Sequence, residues 1–153
     1  MTATRLSMIA AGGSVALLAG AFIFQHLGYA PCKMCIWQRW PHAAAVVIGA
    51  LILATGMRAL AWLGALAAAI TSGIGFFHAG VEQSWWEGPS SCTGTGDGLS
   101  NLSGAELLST DIGEAIVMCD EIAWSLAGIS MAGWNGILSL ILVVFWVRAA
   151  RAT

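Results

Sequence analysis

Charge is the scarcest commodity in this sequence. Only 9% of the residues are Asp, Glu, Lys or Arg, against about 25% in an ordinary soluble domain. So few charges cannot coat a water-facing surface, and composition places the chain in the membrane class. Basic clusters are missing too: Lys and Arg number six and the net charge is −2, which removes nucleic acid as a partner. The apolar runs lack the alternation of barrel strands, so spanning segments must be helices. No glycine-rich nucleotide fingerprint occurs. Covalent haem attachment needs histidine directly after a Cys-x-x-Cys, and Ile36 stands there instead. The length of 153 residues suits one domain.

Four long apolar runs are present, at residues 7–27, 36–55, 60–77 and 129–147. Each approaches the roughly 20 residues needed to cross a bilayer. The expected fold is an all-α bundle of four transmembrane helices. The first run is longer than the apolar core of a cleaved signal, and Pro31 follows the small-residue stretch Gly28–Ala30, so it is expected to be a retained helix. Arg5, Arg58, Arg148 and Arg151 fall on one side of a four-span chain, which the positive-inside rule makes the cytoplasm. Both termini are then inside. The short loop 28–35 and the long loop 78–128 lie outside. The long loop holds all eight acidic residues and no Lys or Arg. It is rich in Gly, Ser and Thr from 89 to 104, which predicts flexibility. Residues 105–118 carry apolar positions at helical spacing, which suggests a short helix on the membrane surface. Trp37, Trp40, Trp85, Trp86, Trp124 and Trp134 fall near outer ends of spans, and Trp62 and Trp146 near inner ends, as in aromatic belts.

The four cysteines, Cys32, Cys35, Cys92 and Cys119, all fall in the two outside loops. An even number on the oxidising side argues for disulfide chemistry. Sequence order suggests Cys32 with Cys35 and Cys92 with Cys119, among three possible pairings. A Cys92–Cys119 bond would close a long loop and could act as a staple. Cys32 and Cys35 enclose almost nothing, so a bond between them has little value as a staple. A Cys-x-x-Cys pair is instead built to open and reclose. Zinc would need a second Cys-x-x-Cys, or histidine close to Cys92 or Cys119. Neither occurs, His78 being fourteen residues before Cys92, and no metal is expected.

Arg39 follows Cys35 by four residues and Gln38 by three, so all three share a face if the second helix begins near Cys35. The helix N-terminus and the guanidinium would then favour a thiolate at Cys35. An arginine at a span edge can equally be a snorkelling anchor, and spacing alone leaves both readings open. His26, His42 and His78 lie near outer ends of spans, where a histidine is usually structural; His78, at the mouth of the long loop, is the best functional candidate. Two disulfides, one at the lip of the bilayer and one in a mobile loop, suggest a relay from a soluble protein to a lipid-soluble acceptor.

These features together resemble the bacterial disulfide-bond formation protein B family. The resemblance rests on four spans, on "CKMCIWQR" with Arg39 behind the pair, and on "CDEIAWSLAGISMAGW" running from Cys119 into the last span. It covers essentially the whole chain, and it departs from the usual pattern at Gln38, often glutamate, and at Ala132, often proline. The resemblance implies an inner-membrane protein-dithiol:quinone oxidoreductase using ubiquinone or menaquinone. Its partner would be a periplasmic thioredoxin-fold protein of the DsbA kind. Cys92 would form the mixed disulfide with that partner, and Cys119 would resolve it or attack Cys32. Cys35 would engage the quinone, within a site made by Arg39, Gln38, His78 and Met131. A vitamin K epoxide reductase-like protein is a rival, but its Cys-x-x-Cys follows the loop cysteines rather than preceding them. A four-span scaffold with stapled loops is the non-enzymatic rival.

Overall fold

A computed structural model describes residues 2–89, 92 and 118–152. The flexible stretch expected at 89–104 and the surface helix expected at 105–118 lie almost wholly outside the described residues. Four long helices carry the fold: α1 (Ala3–His26), α2 (Lys33–Thr55), α3 (Ala61–Glu82) and α4 (Met131–Arg151). All four are long and apolar enough to cross a membrane. They form a ring in which α1 packs on α2 and α4, and α3 packs on α2 and α4. Their outer faces present apolar side chains such as Val47, Leu53 and Leu66 to the surroundings. Hydrophobic faces turned outward on every helix are the pattern of a bundle dissolved in lipid.

The helix boundaries differ from the sequence expectation, each for a local reason. Helix α1 starts at Ala3 because the Thr2 hydroxyl accepts the Arg5 N–H at 3.3 Å. Helix α2 starts at Lys33 rather than near Cys35, because Cys32 is its N-cap and its sulfur accepts the Cys35 N–H at 3.3 Å. Gly56 ends α2 with φ 71°, in the left-handed region that glycine enters without strain. A single 3-10 turn, Arg58–Leu60, leads into α3. Helix α3 continues five residues past Phe77, since His78 and Glu82 are buried against the bundle rather than placed in a loop. The last span begins at Met131, not Ile129. Ser125–Leu126 (β1) pairs antiparallel with Ile129–Ser130 (β2), and Ala127 and Gly128 both have positive φ in the turn between them. Ser130 then caps α4 by accepting the Gly133 N–H at 3.1 Å.

Packing inside the ring depends on small residues. A Cβ at Gly75 would lie 2.8 Å from the Gly136 nitrogen, so α3 and α4 meet backbone to backbone. A Cβ at Gly64 would strike the Trp146 ring at 2.6 Å. Trp146 is fully buried there, which corrects its reading as an interfacial anchor. The aromatic-belt reading holds better for Trp40, Trp62 and Trp85, which are at least half exposed. The interior has three tiers. Leu6, Ala10, Ala45, Ile52, Leu142 and Trp146 fill the end near the termini. Buried polar side chains occupy the middle. Cysteines occupy the far end.

Candidate functional site

Three segments converge at the cysteine end: the start of α2, the last turn of α3 and the segment entering α4. Cys92 and Cys119 are joined by a disulfide, and Cys32 and Cys35 are free thiols. Cys32, Met34, Cys92 and Cys119 pack as one buried cluster, with Cys35 against it. The Cys119 N–H donates to the Cys92 carbonyl at 2.8 Å. The long loop therefore delivers its disulfide onto the lip pair, a juxtaposition that loop length alone could not reveal.

The Cys32 and Cys35 sulfurs are 3.0 Å apart, and His78 Nε2 is 3.5 Å from the Cys32 sulfur. Cys32, not Cys35, receives the helix-end N–H, so the expected focus of negative charge moves to Cys32. The two thiols share one hydrogen bond, and since the Cys35 N–H and the His78 ring both face the Cys32 sulfur, the negative charge is best held there with the Cys35 thiol as donor. The Cys35 thiol first, then the His78 ring, outweigh the desolvation of Cys32 and hold its thiol well below the ordinary value.

Behind His78 runs a chain of polar groups reaching deep into the bundle. Gln38 Nε2 lies 3.0 Å from His78 Nδ1 and donates to the Met34 carbonyl at 3.2 Å. Asn135 Nδ2 donates to Gln38 Oε1 at 2.7 Å and to Thr71 Oγ1 at 3.2 Å. Asn135 Oδ1 lies 2.9 Å from His42 Nε2, with the Ser139 hydroxyl 3.4 Å from that same nitrogen. Since Gln38 presents its N–H to His78 Nδ1, the ring carries its own proton on Nε2, toward the Cys32 sulfur. His42 lies nine residues into α2, about 13 Å along the helix axis, so it is an interior group and not a membrane-edge histidine. Asn135, Thr71, Ser139 and Glu82 had no sequence signal of their own. Asn135 and Ser139 do follow Met131 at one-turn spacing on the buried face of α4, a pattern visible once that helix is placed.

An apolar cavity of about 410 Å³ adjoins the pair. Cys32, Cys35 and all four residues expected at a quinone site, Gln38, Arg39, His78 and Met131, line it. Arg39 donates to Gln25 Oε1 at 2.7 Å and to the Ala21 carbonyl at 3.5 Å, and its guanidinium lies 4.9 Å from the Phe22 ring centre. Its Nε–H is buried with no partner among the described residues. Arg39 is thus fixed to α1 rather than extended toward head groups.

Comparison with known proteins decides the family. The family model for "Disulfide bond formation protein DsbB" matches residues 3–149. The chain belongs to the DsbB family. A relative called disulfide bond formation protein B from Verminephrobacter eiseniae is 34% identical, covering 98% of this chain and 91% of its own length. One from Acidovorax sp. is 29% identical, covering 96% of this chain and 89% of its own. Another from Xanthomonas oryzae pv. oryzae is 36% identical over 78% of this chain and 73% of its own. No solved structure matches. As a DsbB-family member with four apolar spans, the chain is a multi-pass membrane protein serving disulfide bond formation. Family membership removes the scaffold and the vitamin K epoxide reductase-like readings.

Proposed function

We propose that this protein re-oxidises a periplasmic thioredoxin-fold dithiol protein of the DsbA kind and passes the electrons to membrane quinone, ubiquinone or menaquinone. The observation that carries this reading is the position of the two cysteine pairs. The Cys92–Cys119 disulfide packs on Cys32, while Cys32 and Cys35 line the apolar cavity. Sulfur can reach sulfur on one side, and an apolar acceptor can reach the pair on the other.

The exchange balances in two steps. A partner thiolate attacks Cys92, forming a mixed disulfide and releasing the Cys119 thiolate. The partner's second thiol then closes the partner disulfide and leaves Cys92 and Cys119 reduced. Next, Cys119 attacks Cys32 of an oxidised lip pair and expels the Cys35 thiolate. Cys92 displaces Cys32 from Cys119, so the loop pair is bonded again and the lip pair is reduced. Loop disulfide with lip dithiol is the combination described above.

The cavity suits a quinone on three counts. Its volume falls within the roughly 300–1,000 Å³ typical of small-molecule sites. Its walls are mostly apolar, with Leu17, Phe24 and Leu138 among them. Arg39 lines it, and a guanidinium N–H there suits a carbonyl oxygen. A bound quinone supplies the sink for two electrons and two protons. For its part, the chain holds His78 through Gln38, keeps a proton at Nε2 beside the Cys32 sulfur and offers the Arg39 donor. The arginine-bearing end, where Arg58 donates to the Ala152 carbonyl at 3.2 Å, faces the cytoplasm, and the cysteine end faces the periplasm.

The test is turnover. Purified protein is mixed with a reduced thioredoxin-fold partner and a soluble quinone, and loss of quinone absorbance is followed. Steady quinone reduction that vanishes in Cys35→Ser is expected. No turnover, or turnover that survives Cys35→Ser, defeats the proposal.

A further inference from the structure

The histidine that sequence distance separated from Cys92 stands beside the other cysteine pair. Among the described residues, Cys32, Cys35 and His78 bring one donor atom each within 4.8 Å of one another. Glu82, one turn beyond His78 on α3, adds a carboxylate: its Oε1 is 3.9 Å from His78 Nε2 and its side chain is only 6% exposed. Its other oxygen, Oε2, is buried and makes no hydrogen bond within normal geometry among the described residues, although the Ser130 hydroxyl lies near the carboxyl. A buried carboxylate oxygen left bare beside two thiols and an imidazole is a vacancy for positive charge.

We infer that the reduced Cys32–Cys35 pair, with His78 and Glu82, forms a binding site for a borderline-soft divalent cation of the zinc class. The donor set of two sulfurs, one nitrogen and one oxygen is of the kind zinc takes in tetrahedral geometry. Spacing agrees. With Zn–S about 2.3 Å and Zn–N about 2.05 Å, a tetrahedral site sets sulfur and nitrogen about 3.6 Å apart and two sulfurs about 3.8 Å apart. Cys32 and His78 already stand at 3.5 Å, and the sulfurs at 3.0 Å need to part by less than an ångström, within a side-chain rotation. Binding displaces the thiol protons to solvent, and the two thiolates neutralise the ion. His78 must then coordinate through a bare Nε2 and carry its proton on Nδ1. Turning the Gln38 and Asn135 amides together puts the Gln38 carbonyl against Nδ1 and its N–H on the Asn135 oxygen, and holds that tautomer.

Metal and disulfide exclude one another at this site. A bound ion removes both thiolates from exchange, and oxidation of the pair removes two of the four ligands. The cation is thus a reversible block on the reduced state, released when the pair is oxidised.

The test needs neither quinone nor partner protein, so it stands apart from the relay reading. A Cys92→Ser/Cys119→Ser variant removes the competing loop sulfurs. It is reduced with a non-chelating phosphine, separated from reductant and titrated with Zn²⁺ against a chromophoric chelator, then with Co²⁺. The expected result is one ion per chain, with a thiolate-to-cobalt absorption band, and neither after the Cys32–Cys35 pair is oxidised. Loss of an outer partner of a ligand costs about 10–100-fold in metal affinity, so removing a direct ligand by His78→Ala should weaken Zn²⁺ binding at least tenfold. Glu82→Gln, which keeps the shape, should weaken it several-fold without altering the melting curve of the metal-free protein. No binding by the reduced protein, equal binding by the oxidised protein, or undiminished affinity in a folded His78→Ala variant would overturn the inference.

Discussion

Replacing Asn135 with leucine tests whether the polar chain in the middle of the bundle is a single unit. The side chain bridges three elements. It donates to Gln38 Oε1 on α2 and Thr71 Oγ1 on α3, and its oxygen lies 2.9 Å from His42 Nε2 on α2. Leucine keeps the number and branching of the side-chain heavy atoms and deletes these bonds, along with the long one from the Ser139 hydroxyl at 3.5 Å. Interhelical hydrogen bonds in membrane proteins are worth about 0.6 kcal/mol on average and up to about 1.7. Here the deserted groups include Gln38 and His42, both buried, where an unpaired polar atom costs about 1–3 kcal/mol. The two magnitudes place the loss for Asn135→Leu at about 2–3 kcal/mol. Reversible unfolding in mixed detergent micelles measures it directly. A double-mutant cycle with His42→Phe should return a coupling of at least about 0.6 kcal/mol, because the two residues share one bond. A loss under about 0.5 kcal/mol, or additive single effects, would refute the reasoning and make Asn135 an isolated group that water or lipid satisfies equally well.

Three further outcomes follow. In chelator-treated, fully reduced protein, Cys32 alkylation should stay nearly flat from pH 8 to about pH 6, whereas an ordinary thiol loses about tenfold per pH unit there; its thiolate is favoured by the Cys35 thiol and His78, so reactivity is lost only as pH falls through the lowered value, and a tenfold drop per unit across this range would contradict the assignment. Gly75→Ala places a Cβ 2.8 Å from the Gly136 nitrogen, a backbone atom that cannot turn aside; a loss of about 1–3 kcal/mol is expected in the same unfolding assay, and unchanged stability would mean that α3 and α4 can part freely. Arg39→Ala should raise the KM for quinone about tenfold, the worth of one charge-assisted hydrogen bond, while the KM for the thiol partner stays constant; equal effects on both would mean that loss of the Gln25 and Ala21 bonds had loosened α1.

Lipid makes some features legible in sequence and hides others. Four spans could be read from composition, because the bilayer demands long apolar helices whatever packs against them. The Cys-x-x-Cys pair and Arg39 were legible because their chemistry depends on spacing within a single helix. Helix ends were less so. Cys32 became a cap through a sulfur–backbone bond, and His78 and Glu82 stayed helical because α3 buries them. Composition placed both in a loop, since a polar residue at a span end looks the same whether it faces water or a protein interior.

The sequence alone determined a four-helix membrane protein with two cysteine pairs in the loops between its spans, since hydropathy and spacing are properties of short stretches. Tertiary structure decided which groups stand together. Residues 46 apart in the chain placed His78 on Cys32, and residues 97 apart placed Asn135 on Gln38. The same folding turned Arg39 inward, held by α1 at the wall of an apolar cavity. The physical reason is that helices are specified by neighbours in sequence, whereas their rotation and register depend on side-chain packing across the bundle, where one glycine pair at Gly75 and Gly136 sets how closely two backbones meet.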